Sequence, residues 1–249
     1  AIIFDRISRF TASKLGLPIA SKILISQEDY ARQPFYGLNQ LPSFLSPFSD
    51  NLMFELKFLK TYLNNYLKEN LNLNQRRDYW IYDGIQIFLM MQYADEYFPD
   101  LKMTGNVANL KILKPYHFIN LDFNQQYNYL YMLMARKNLD QSLNEPKNKL
   151  IKFNEQIASK YRAGLSLKYL DSYLGNDIVH KTIKEYIQEN QYFGTNSRQF
   201  ETVLLKNSPK DINWFFRTVI ETRDLIDYKF GKVTKTKDSL SVNIINKTG

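Results

Sequence analysis

Leucines recur at positions 52, 56, 59, 63 and 67. Steps of three and four residues line one face of a helix, so this row predicts a helix over residues 52–71 with a buried stripe. Asn and Arg residues at 72–77 break the pattern. A second strong helical run covers Tyr79–Tyr97 and stops before Pro99. Earlier, Ile3, Ile7 and Phe10 have helical spacing within Ile2–Leu15, and Gly16 and Pro18 end that helix. Further helices are predicted over 125–137, 150–174, 177–190 and 197–206. Another is predicted over 208–222, with Pro209 in its first turn. Gly175 stands where a helix C-cap glycine belongs.

The rest is shorter. Residues 22–26 read as a strand. Residues 34–50, rich in Pro, Ser and Phe, read as a long loop of the kind that lines sites. Residues 100–124 read as irregular. Apolar and polar residues alternate over 225–233 and 240–245, which predicts a hairpin or the first strands of a further β domain. The expected architecture is a mainly α domain over 1–222, with a small β element at each end. Residues 223–249 form a β-hairpin tail or the start of a following β-sandwich domain.

Composition narrows the function. With 44% hydrophobic and 15% aromatic residues, the chain has ample material for a core, which excludes global disorder. No run of about 18 apolar residues occurs, so no transmembrane segment is expected. Cysteine is absent, which excludes disulfides, thiol nucleophiles and cysteine-held metals. The abrupt ends read as those of a piece of a longer protein, whose other domains are expected partners. Net charge is +8, but the basic residues are scattered, so solvated surface is favoured over a nucleic-acid face.

Four segments, in order, carry a resemblance. They are Tyr36-Gly37-Leu38-Asn39-Gln40; Trp80-Ile81-Tyr82-Asp83-Gly84-Ile85, with Tyr97-Phe98-Pro99 after it; Lys160-Tyr161-Arg162-Ala163-Gly164; and Asp211-Ile212-Asn213-Trp214-Phe215-Phe216. Together they resemble the helical catalytic domain of M1 zinc aminopeptidases, gluzincins with a thermolysin-like fold. The resemblance puts Asp83 on the third zinc ligand, and Tyr161 on the tyrosine that steadies the tetrahedral intermediate. Ala163 replaces that motif's lysine. The glutamate that grips a substrate amino group falls on Asn39 or Gln40, next to Gly37. An exported or cell-envelope location follows from the family's habits.

The metal motif does not carry over. The family uses His-Glu-x-x-His, because residues i and i+4 share a helix face and both imidazoles reach one zinc. Counting back from Asp83 puts Lys60 and Asn64 on the two histidines and Thr61 on the general base. The chain has only two histidines, His117 and His180, 63 residues apart. No metal or other cofactor is therefore expected. Lys60 and Asp83 are expected to pair, so that neither buried charge stands alone.

The reading that results is a pseudopeptidase with a peptide-binding or scaffolding role. A groove between Asn39, Asp83 and Tyr161 would hold a peptide or protein terminus. One alternative is an active aminopeptidase with a non-standard metal site. A second is a basic helical nucleic-acid-binding domain. Elsewhere, the acidic pairs Glu28-Asp29 and Asp95-Glu96 read as surface, His117 as packed, His180 as exposed, and Tyr127, Leu130, Tyr131 and Met134 as a core stripe.

Overall fold

Leu56, Leu59, Leu63 and Leu67 are all buried along one face of α3 (Asp50–Asn70), whose Ser49 cap accepts the Leu52 N–H. The computed structural model describes residues 2–20, 22–35, 46–109, 120–224 and 228–247. The chain is mainly helical. α1 (Ile2–Leu15), the short α2 (Gln27–Ala31) and α3 are followed by α4 (Tyr79–Tyr97), α5 (Gln125–Ala135), α6 (Ser159–Leu174), α7 (Ile178–Asn190) and α8 (Ser197–Asn207). Between α3 and α4, β1 (Asn72–Leu73) runs parallel to β2 (Gly194–Thr195), which precedes α8.

α4 is the axis of the core. It is buried on nearly every side, from Tyr79 and Trp80 to Tyr93 and Ala94, which only a helix enclosed by others can be. α6 lies along it in the same direction: Asp83 meets Lys160, Ile87 meets Gly164, and Asp95 meets Lys168. Glycine permits this close approach. A Cβ built on Gly164 would stand 2.4 Å from Ile87 Cγ2, and one on Gly84 would stand 3.2 Å from Leu167 Cδ1. α3 packs on α4 from another side, and the Gln86 side chain of α4 donates to the Lys60 carbonyl of α3 at 2.7 Å. Arg6 of α1 joins them by bonding both Glu55 of α3 and the Tyr93 hydroxyl of α4. On the far side, Phe200 of α8 packs edgewise on Trp80 and Tyr186. Tyr127 and Met134 are buried and Leu130 and Tyr131 half-buried, so the α5 stripe is core.

Three local expectations are corrected. Residues 22–26 are irregular, not a strand. Ser26 is committed to a capping box with Asp29 at the start of α2, and the Leu24 carbonyl accepts from Asn65 of α3 instead of a strand partner. The helix expected over 150–174 opens with a π turn, Asn154–Ala158. There the buried Asn154 amide is pinned to the Leu139 carbonyl and Gln141. The helix expected over 208–222 starts later, because Ser208 and Asp211 fold residues 208–213 into side-chain-bonded turns. Trp214 then leads into a second π segment, Phe215–Ile220.

The tail is a hairpin of β3 (Tyr228–Lys235) and β4 (Leu240–Asn246). A bulge between Phe230 and Val233 sets Val233, in place of Lys232, opposite Val242. Tyr228, Phe230, Val233, Leu240, Val242 and Ile244 therefore share one face, and all six are exposed. Gly175 closes α6 with φ +65°, as its cap position requires. Among the described residues, no helix is long and apolar enough to cross a membrane.

Candidate functional site

Lys60 is on the inner face of α3 and only 5% exposed. Its ammonium donates to the Pro34 carbonyl at 2.6 Å. Burial, together with the like charges of Lys160 and Lys57, lowers its pKa to about 7, with Asp83 pulling the other way. Thr61, also buried, donates back to the Lys57 carbonyl within its own helix. Asn64, one turn after Lys60, is half-buried and donates to the Asn65 side chain. The two side chains that stand for imidazoles are thus an ammonium and an amide.

Asp83 lies in the second turn of α4 and is 8% exposed. Its Oδ1 is 3.2 Å from the Lys160 ammonium of α6. Its Oδ2 is buried with no hydrogen-bond partner among the described residues. Asp83 attracts Lys60, with which it is expected to pair directly or through water, and it also holds a second lysine. Lys160 makes the 3.2 Å contact, because the parallel approach of α6 brings it alongside Asp83. The structure therefore joins Lys60, Asp83 and Lys160 from three helices.

Tyr161 follows Lys160 on α6, but its ring turns inward and packs edgewise on Tyr127 with centroids 4.8 Å apart. Gly37, Asn39, Gln40 and His117 lie outside the described residues. His180 is half-buried, a correction to its expected exposure: it stacks on Phe88, and its Nε2 lies 2.7 Å from the Gln92 amide. Burial lowers its pKa, as does Lys14, against Asp171 and Asp177. Asp29 serves the α2 cap and Asp95 pairs with Lys168, so neither acidic pair forms an acid/base site.

Sequence reasoning missed Lys160 and Lys57. Lys160 was visible as the first residue of the Lys160–Gly164 segment, but helical periodicity gives it no special weight. Lys57 and Pro34 line a cleft of about 480 Å³ beside the charge cluster, with Tyr30, Phe35 and Phe54 as further walls and Asp50 on the lining. Lys57 caps the Tyr30 ring at 4.1 Å.

The donor set does not fit zinc. Zinc sites are built from His, Cys, Asp and Glu, whereas here the two imidazole positions hold a lysine and an amide, and the carboxylate is already held by another lysine. Among the described residues, no three His, Asp or Glu side chains converge to hold a metal ion. Neither a scan of protein-family models nor a search of curated proteins finds a match to this chain.

Proposed function

We propose that the chain is an M1 aminopeptidase-like helical domain that binds a peptide or protein terminus without cutting it. One observation carries this reading. The buried Lys60 ammonium stands at the position that the resemblance gives to the first zinc imidazole. Lysine in place of the imidazole removes a zinc ligand at any pH and, while protonated, also repels a divalent cation; without that cation water has no Lewis acid to activate it. The capture of Asp83 by Lys160 supports the same reading, since it occupies the third ligand position. The cleft beside Lys57 and Pro34 is of a size that suits a short chain segment.

The test is metal analysis of the purified protein after zinc loading, paired with an aminoacyl-anilide assay. The reading expects zinc well below one equivalent and no turnover above a heat-treated control. Stoichiometric zinc with turnover would return the chain to the active aminopeptidases.

A further inference from the structure

A second cleft, of about 570 Å³, opens beyond the paired strands. β1 and β2 run in the same direction, so the segments that follow them emerge at one edge of the pair. One leads into α4 and the other into α8. Arg77 and Arg198, far apart in sequence, thereby meet on the lining of this cleft, with Asp78, Asn144, Asn196 and Ser197.

Part of the lining is already committed. Asp78 Oδ1 accepts from the Ser197 N–H at 3.0 Å and from the Ser197 hydroxyl, which itself accepts from the Trp80 indole at 3.2 Å. Asn196 Oδ1 accepts the next two N–H groups of α8. The first three backbone donors of α8 are thus bonded, and a ligand would be met by side chains. Neither the Arg77 nor the Arg198 guanidinium has an ion-pair or hydrogen-bond partner among the described residues, and the amide N–H groups of Asn144 and Asn196 are open in the same sense. Two guanidinium groups against one carboxylate leave the lining positive.

These donors select an oxyanion with several terminal oxygens. One guanidinium fork engages both oxygens of a carboxylate, which leaves the second arginine without a partner. A phosphate monoester brings three terminal oxygens and close to two negative charges, enough for both forks. The cleft is larger than a bare phosphate needs and suits a small organic molecule. Among the described residues no aromatic ring lines it, so it offers no stacking platform for a nucleobase, whereas Asp78 can accept from a hydroxyl. We propose that this cleft binds a small phosphorylated molecule of the sugar-phosphate class, with Arg77 and Arg198 on the phosphoryl group. The site is separate from the peptide groove and does not depend on it.

Calorimetry at constant ionic strength tests it, with glucose 6-phosphate, inorganic phosphate, glucose and acetate as titrants. The sugar phosphate should bind with a Kd of about 1 mM or tighter, and glucose and acetate should give no measurable binding. Arg77→Gln and Arg198→Gln should each weaken the sugar phosphate about ten- to a hundred-fold, the range for one charge-assisted hydrogen bond. Both side chains are exposed, so thermal melts should show both variants folded. Arg9→Gln removes the same charge from the cleft beside Tyr97, at the opposite end of α4, and should change nothing.

Inorganic phosphate binding as tightly as the sugar phosphate, with both weakened by the two cleft variants, would support the anion site and make free phosphate its occupant. An equal loss in Arg9→Gln would show diffuse surface charge and overturn the proposal. So would glucose binding as well as its phosphate, or no heat from either phosphate at about 10 mM. A single-stranded oligonucleotide that bound where both small phosphates failed would also overturn it, and would give the two arginines to a nucleic-acid backbone.

Discussion

Replacing Lys60 by methionine should make the protein more stable near pH 6, although it deletes a hydrogen bond. Methionine keeps an unbranched stem and fills the same buried space. The lysine is held at about 7 in the folded chain against an ordinary 10.5. Between those values the unfolded chain keeps a proton that the folded chain has lost. Stability therefore rises with pH through that window, and the cost of the buried charge is fully present below it. At about 1.36 kcal/mol per pH unit, that cost is about 5 kcal/mol. The variant also loses the bond to the Pro34 carbonyl, worth about 1.5–3 kcal/mol for a charged donor. The expected net gain near pH 6 is thus about 2–3 kcal/mol, in line with other exchanges of buried charge for apolar side chains.

By about pH 9.5 most of the window has been crossed, and the wild type should match or pass the variant. Lys57, Lys160 and Asp83, which among the described residues act on Lys60, are common to both chains. Urea unfolding followed by circular dichroism at about pH 6, 8 and 9.5 measures the difference, from which groups common to both chains cancel. A gap between the two chains that does not change with pH would refute the reasoning, as would a variant that is the less stable chain near pH 6.

Gly164→Ala should cost about 1–2 kcal/mol: the forced contact with Ile87 outweighs the roughly 1 kcal/mol that alanine adds to helix propensity. Gly84→Ala, whose new methyl meets its neighbours at 3.2 Å and beyond, should be much milder, and thermal melts rank the two. Arg162, itself buried, pairs with buried Asp140 and donates to the part-buried carbonyls of Gln141, Val219 and Thr222. Arg162→Met should cost about 3–5 kcal/mol by denaturant unfolding, because a buried carboxylate is left unpaired. His180 is held below its usual value by burial, so on acidification the unfolded chain takes up the proton first. Stability should fall as pH drops below about 6.5, and His180→Gln should flatten that part of the curve.

The helices were legible because their causes are local. The leucine row of α3 and the terminators at Gly16, Pro99 and Gly175 act within a few residues, and α1, α3 and α4 end close to where the sequence puts them. The misreadings were at places where side chains override that local code. Ser26 and Asp29 turned an apolar stretch into a helix cap, and Asn154 drew a turn of helix into a wider coil. At the site, the sequence singled out Lys60, Asn64 and Asp83 but missed Lys160, which lies 3.2 Å from Asp83. Whether Lys160 reaches that carboxylate depends on how α6 lies along α4, and that is set by Gly84 and Gly164 against Ile87, Ala163 and Leu167.

The same-direction alignment of α4 and α6 has a kinetic consequence. Two parallel helices cannot be joined by a tight turn, so about 75 residues must be laid out before Asp83 can meet Lys160. Chain segments that distant come together late, after local helices have formed. The contact between Asp83 and Lys160 is thereby a mark of the finished interior, which no helix can make by itself.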